Sequence, residues 1–235
     1  MGVILTYKGN PDAAARTVRS IRENGGQALA LPLDVSDTGS FAAFRDAVKE
    51  QLQAVWGISR LGGLVNNAGY GLYQPIDTVT EDQSDGLFDV HLKGPFFLTQ
   101  ALLPLLADGG AIVNVTSATT RVATAGVAPY AAFKGGLELL TRYMAKEFGA
   151  RGIRANAVSP GAIRTRLGGG LNQEFETLLA SHTALGRVAE PDDVGRVIAT
   201  LLSTESDWIN AQSIEVAGGY NIWVCWKPLL SHTFT

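Results

Sequence analysis

The strongest constraint on this chain is the alternation of short apolar runs with longer helix-like segments, kept up from residue 3 to residue 216. Residues 3–7, 28–33, 63–66, 111–116, 154–158 and Ser213–Val216 read as strands. Between them, residues 12–24, 38–55, a stretch from 80 towards 106, 129–148, Gln173–Ser181 and a segment opening at Pro191 read as helices. Gly25-Gly26 stops the first helix, and Thr80 with Gln83 forms a capping box at the third. Parallel strands need a crossover between them, so this order predicts an α/β fold with a doubly wound, mostly parallel sheet. Sheets of that kind bind ligands beyond the carboxyl ends of their strands, which directs attention to the polar segments that follow each apolar run.

The composition is that of one folded domain. At 235 residues, 46% hydrophobic and 17% charged, the chain can bury a large core, and no linker or low-complexity stretch interrupts the alternation. Residues 1–222 are therefore read as a single domain followed by an atypical tail over 223–235. A formal charge of −3 without a dense Lys/Arg stripe argues against nucleic-acid binding. The single cysteine, Cys225, excludes an internal disulfide and fits a reducing compartment. The sequence has no long apolar run and no signal peptide, so a soluble, cytoplasmic protein is expected, with no membrane partner.

One constellation carries chemistry. Tyr130 and Lys134 lie four apart in the predicted helix 129–148 and so share a face, and Ser117 ends the apolar run that leads to them. A free phenol titrates near about 10, and a neighbouring ammonium favours its phenolate. At roughly 4 Å and an effective dielectric near 20 the attraction is about 4 kcal/mol before desolvation, enough to bring the phenol towards about 8. Tyr130 would then serve as general acid or base near neutral pH. Ser117 has no histidine close in sequence to activate it and reads as a hydrogen-bond donor to a substrate oxygen rather than a nucleophile. The set suits interconversion of a carbonyl and an alcohol, although a tyrosine and a solvated lysine at this spacing also occur on ordinary helices.

With its surroundings, the triplet resembles the short-chain dehydrogenase/reductase family over residues 2 to about 222. Asp34-Val35, Asn66-Asn67-Ala68-Gly69, the run Ile112-Val113-Asn114-Val115-Thr116-Ser117 and Asn156-Ala157-Val158-Ser159-Pro160-Gly161 carry the likeness in the family's order and spacing. The resemblance implies a Rossmann-like sheet and a nicotinamide cofactor. It implies that Asn67, Ala68 and Gly69 lie along the cofactor and that Asn66 braces the sheet, where the residues alone read as a polar turn. It places Pro160 and Gly161 at the same cleft, with Ile163 and Thr165 at the nicotinamide end. Asp34 has two open readings: a cap for the next helix or, with Val35, a neighbour of the adenine. NAD-preferring relatives place a carboxylate after the second strand, and here the segment reads Thr6-Tyr7-Lys8-Gly9-Asn10. With no acid there and with Lys8 and Asn10 as donors beside Tyr7, NADP(H) is favoured over NAD(H).

Two departures from the family pattern stand out. Relatives begin with a strand, a Thr-Gly-x-x-x-Gly-x-Gly turn and a helix, and this sequence opens at the segment that follows them. The expectation is an incomplete start, a sheet lacking its usual first strand-helix unit, unpaired strand edges, and loss of the backbone amides that cradle a pyrophosphate. The second departure is His91, which stands in Val90-His91-Leu92-Lys93-Gly94 where relatives often have an asparagine that serves a proton relay from the catalytic lysine. Histidine can also donate and accept, so a relay with an altered pH profile and a simple packed imidazole are both open.

Substrate choice is expected from residues 70–74, 121–128 and the loop running from Arg166 into the Gln173 helix, where Gly168-Gly169-Gly170 suggests a flexible lid or a plain loop. Thr183-Ala184-Leu185-Gly186-Arg187-Val188 and Asn210-Ala211-Gln212 resemble bacterial reductases of unsettled substrate. The resemblance implies a homodimer or homotetramer, built on the helices over 80–106 and 129–148 and on the strand near Ser213. Residues 223–235, with Trp223, Trp226 and Phe234, are expected to be loosely packed or disordered. The resulting function is an NADP(H)-dependent oxidoreductase acting on a small carbonyl or secondary alcohol. Two further readings stay open: a non-catalytic scaffold or oligomer subunit, and a related lyase or epimerase using the same tyrosine.

Overall fold

The computed structural model describes residues 2–165 and 167–222. It contains strands β1 Gly2–Tyr7, β2 Gln27–Pro32, β3 Leu61–Asn66, β4 Leu106–Val115, β5 Arg154–Pro160 and β6 Ser213–Val216. The helices are α1 Pro11–Glu23, α2 Phe41–Trp56, α3 Glu81–Phe88, α4 Gly94–Leu102, α5 Ala128–Phe148, α6 Gln173–Ser181 and α7 Pro191–Leu202. Every ladder is parallel, and the Rossmann-like α/β arrangement follows the predicted order. Several ends come from short-range chemistry: Gly57 closes α2 in the left-handed region at φ 64°, and Pro191 opens α7 behind a Glu190–Asp193 capping box.

The sheet is not continuous. Among the described residues β1 pairs only with β2, and β3-β4-β5-β6 form a separate four-stranded sheet, so β1 and β3 are each laddered on one side only. The expectation of unpaired edges thus describes the structure. One apolar cluster still serves both sheets: Phe44, Val48, Leu52, Leu98 and Leu102 pack against Ile4 and Leu31 on one side and against Leu61 and Leu64 on the other.

The larger sheet buries residues alternately on its two faces, as strand geometry requires. Ile112 joins Met144, Ala145 and Ala155 beneath α5, whereas the next residue, Val113, joins Val158, Val194 and Leu201 beneath α7. Between these layers the buried Asn66 and Asn114 amides are hydrogen-bonded. Asn66 Nδ2 donates to Asn114 Oδ1 at 2.8 Å and to Thr99 Oγ1 at 3.1 Å, and Asn114 Nδ2 donates to Thr141 Oγ1 at 2.9 Å. Asn66 therefore braces β3 against β4, α4 and α5.

The helix predicted from 80 towards 106 is corrected. The Thr80 capping box is present, but α3 ends at Phe88, Asp89–Lys93 form a π-helical turn, α4 ends at Leu102, and β4 begins at Leu106 rather than 111. Pro95 explains the break, since it has no N–H for the carbonyl one turn back, while Gly94 N–H reaches Asp89 O. Gly94 also meets the Val35 carbonyl too closely for any Cβ. The expectations for residues 223–235, including Trp223, Trp226 and Phe234, lie outside the described residues, as does Arg166.

Candidate active site

Ser117 follows β4 and opens a short 3₁₀ turn over Ala118–Thr120, where its Oγ accepts from Thr119 N at 3.2 Å and from Thr119 Oγ1 at 2.9 Å. With two donors on its oxygen, the serine's own proton is free to point elsewhere. Tyr130 occupies the first turn of α5, which Pro129 initiates, and Lys134 follows one turn later. Lys134 is 4% exposed, donates from Nζ to Val115 O at 2.6 Å, and lies 5.8 Å from the centre of the Tyr130 ring.

The electrostatics differ from expectation at Tyr130. Burial pushes its phenol above the ordinary value, and only the Ser117 hydroxyl pulls it down. The expected lowering of Tyr130 by Lys134 is therefore not what the structure holds: the loss of water around the phenolate outweighs the Ser117 hydroxyl. Burial also acts on Lys134, lowering it to about 8. The pair is brought to the same spot, and the lysine is the member brought nearest to neutrality.

His91, carried by the π turn, is buried beside the same group. Its ring meets Tyr130 edge-on at 5.0 Å, and Nε2 lies 2.8 Å from Tyr70 O. The contact to a carbonyl assigns the proton to Nε2 and leaves Nδ1, which has no partner among the described residues, as an acceptor. Burial, then the Lys134 charge, lowers His91 to about 4, so the imidazole is neutral at pH 7. Gly69 lies against this ring so tightly that a Cβ would come 2.7 Å from His91 Cε1. Asn67, Ala68 and Gly69 therefore leave β3 on the side of the sheet where Tyr130 stands.

The remaining predicted residues divide. Tyr7 ends β1, and Lys8 beyond it pairs with Asp34, Nζ to Oδ2 at 2.6 Å, while 68% of the lysine side chain stays exposed. Asp34 also accepts from Ser36 N and Oγ, and Lys8 and Ser36 together hold its carboxyl down to about 2. It does not cap the following helices, whose N-caps are Asp37 and Ser40. Val35 turns inward onto the apolar cluster shared by the two sheets. Asn10 spends its acceptor on α1, where Oδ1 caps the helix by accepting from Ala13 N at 2.9 Å, and its amide NH₂ remains the donor. Pro160 ends β5 and Gly161 packs on Ala217 without room for a Cβ. Ile163 bridges to Ala189 and packs on the core beneath α7, whereas Thr165 is exposed.

Sequence reasoning missed two cross-links around the entrance. Arg121 holds Glu215 through Nη2 to Oε1 at 2.6 Å and donates to Tyr220 O at 2.7 Å, which ties the segment after Ser117 to the far edge of the sheet. Arg164 joins Glu176 on α6, at 2.7 Å, to Glu190 at the start of α7, at 2.9 Å. The partners are far apart in sequence, so no spacing rule could have found them. Among the described residues no helix is long and apolar enough to cross a membrane.

Comparison with known proteins shows the family and the fold. The family model described as enoyl-(acyl carrier protein) reductase matches residues 1–221. An uncharacterized oxidoreductase of Methylorubrum extorquens is 34% identical over 220 residues, covering 92% of this chain and 86% of the relative. A 3-oxoacyl-[acyl-carrier-protein] reductase of Staphylococcus epidermidis is 33% identical, covering 92% of this chain and 87% of its own. Among solved structures, the angucycline C-6 ketoreductase LanV with bound NADP superposes with a TM-score of 0.88 at 32% identity, covering 93% of this chain and 85% of that one. A family model spanning nearly all of the described residues, relatives above 30% identity and the fold shared with a ketoreductase converge: the chain belongs to the short-chain dehydrogenase/reductase family.

Proposed function

We propose that the protein is an NADP(H)-dependent oxidoreductase that interconverts a carbonyl and a secondary alcohol, with Tyr130 as general acid and base. The observation that carries this reading is the convergence of Ser117, Tyr130 and Lys134 from two elements, with the lysine buried and the serine hydroxyl acting on the phenol. The nicotinamide, when bound, supplies or takes the hydride. The chain's own residues handle the oxygen and the proton. Ser117 donates to the substrate oxygen, Tyr130 gives it a proton in reduction or removes one in oxidation, and Lys134 stabilises the phenolate that results. His91 contributes an unpartnered acceptor, Nδ1, beside Tyr130 and within the field of Lys134, as a proton-relay group requires.

For the cofactor, the residues after the strands fit a dinucleotide lying across their carboxyl ends. Tyr7, Lys8, Asn10, Asp34 and Val35 would meet the adenosine half; Asn67, Ala68 and Gly69 the middle; and Pro160, Gly161, Ile163 and Thr165 the nicotinamide half together with Tyr130 and Lys134. The exposed ammonium of Lys8 supports NADP(H), with Asp34 as its competitor for that charge. LanV and a metagenomic blue fluorescent protein carry NADP and NADPH respectively. A homodimer or homotetramer is supported by apolar residues left on the surface of the two helices expected to pair, Phe96 and Phe97 on α4 and Leu139 and Tyr143 on α5. A Tyr130→Phe protein should bind NADPH as tightly as the parent and lose most carbonyl reduction; turnover at the parental rate would reject the assignment.

A further inference from the structure

We infer that Arg121 is a positioning residue for the reaction: by clamping Glu215 and the Tyr220 carbonyl it holds the turn that aims the Ser117 hydroxyl at Tyr130. The inference rests on the proposed role of Ser117 and adds the residue that keeps this serine in place. Ser117 to Arg121 form one hydrogen-bonded block. Thr120 N and Oγ1 both donate to Ser117 O, at 3.1 and 2.9 Å, and Arg121 N donates to Ala118 O at 3.0 Å. Because Thr119 N and Oγ1 also donate to Ser117 Oγ, the direction of the serine proton follows the orientation of the whole block.

The block is tethered at both ends. At the exit from β4, Thr116 N and Oγ1 donate to Val158 O at 2.8 and 3.0 Å. At the other end the Arg121 guanidinium takes the Glu215 carboxylate with Nε and Nη2, and Nη2 also donates to Tyr220 O at 2.7 Å. A planar fork on a carboxylate fixes orientation as well as distance. The anchors are themselves held: Glu215 lies opposite Ser159 in the ladder between β5 and β6, and Tyr220 bridges to Thr183 just beyond α6. Arg121 thus sets the turn after β4 against the strand end that leads to Pro160 and Gly161. Ser117 itself is extended, at φ −164° and ψ 148°, so the block behind it can pivot once the clamp is gone. The two side chains stay 41% and 30% exposed, and a pair so exposed adds little to global stability. What the clamp supplies is the direction of one hydroxyl.

The test uses the full 235-residue chain with carbon-labelled tyrosine, read by NMR at neutral pH without cofactor or substrate. The ring carbon bearing the phenol oxygen senses the hydrogen bond that oxygen accepts; Tyr130→Phe assigns its signal, and Ser117→Ala gives the displacement that follows loss of the serine hydroxyl. Arg121→Met should carry the Tyr130 signal most of the way to the Ser117→Ala position. Arg121→Lys, which keeps the charge without the fork, should move it less, and Glu215→Gln should move it in the same direction. Melting temperatures should stay within a few degrees of the parent. With NADPH and diacetyl as the carbonyl, kcat of Arg121→Met should lie about tenfold or more below the parent at a similar KM, the cost of a misdirected group. A Tyr130 signal that stays in place in Arg121→Met and Glu215→Gln, or that Ser117→Ala itself leaves unmoved, would overturn the inference, as would a parental kcat in Arg121→Met. The signal decides on Arg121 independently of turnover, whereas the Tyr130→Phe assay decides on the reaction.

Discussion

Lys134→Met isolates the electrostatic cost of the active site. The lysine is 4% exposed, and burial lowers it from 10.5 to about 8. That difference corresponds to ~3 kcal/mol by which the folded state disfavours the charged amine at neutral pH. The sign follows from proton counts: between about 8 and 10.5 the unfolded chain binds more protons at this position than the folded one, so the lysine's burden on stability falls as pH rises through that window. Methionine matches the stem of the side chain without the charge, and the Val115 carbonyl loses its donor at a cost of about 1–2 kcal/mol. The net expectation at pH 7 is a variant more stable than the parent by ~1–2 kcal/mol, or several degrees of melting temperature, yet catalytically impaired. Thermal or urea unfolding of both proteins from pH 7 to pH 10.5 provides the assay, and the difference between them cancels other groups titrating in the same range. The gap should close and then reverse as pH rises. A variant less stable than the parent at pH 7, or a gap independent of pH, would refute the reasoning that desolvation dominates at Lys134.

Asn114→Ala removes the centre of the buried Asn66–Asn114–Thr141 network and should cost ~2–3 kcal/mol in urea unfolding, because Asn66 and Thr141 are left without their partner inside the core. Gly69→Ala would drive a methyl group into the His91 ring; carbonyl reduction should fall with little change in global stability, as seen by paired activity and melting measurements. Lys8→Glu should shift the ratio of NADPH to NADH affinity towards NADH by roughly tenfold or more, read by fluorescence titration with both cofactors. His91→Asn restores an uncharged donor and acceptor of smaller size; steady-state rates across pH should retain a working profile if the imidazole serves a relay, and an unchanged rate in His91→Leu would reduce it to packing.

Much of this molecule is legible along the chain because it is local. A period-2 apolar run, a Thr80–Gln83 capping box and a Gly57 stop each act within a few residues, and the i, i+4 spacing of Tyr130 and Lys134 fixes a shared helix face wherever the helix sits. The parallel sheet follows from the order of those elements, and its carboxyl edge collects the polar segments at the strand ends. What could not be read are quantities set by neighbours brought from afar. Whether Tyr130 rises or falls depends on how much water its pocket excludes, and Lys134 is drawn to the Val115 carbonyl at 2.6 Å. The helix over 80–106 breaks where Pro95 withholds an N–H and Gly94 meets the carbonyl of Val35, a contact across the fold. Asp34 is taken by Lys8 and Ser36 instead of a helix end, and Arg121 finds Glu215 across the top of β5. The sequence alone thus determined the fold class and which side chains could do chemistry, since both rest on short-range periodicity and side-chain type. Tertiary structure decided where the protons reside, which polar groups are already engaged, and that among the described residues β1 and β3 are each laddered on one side only, because desolvation and strand pairing exist only once distant segments meet.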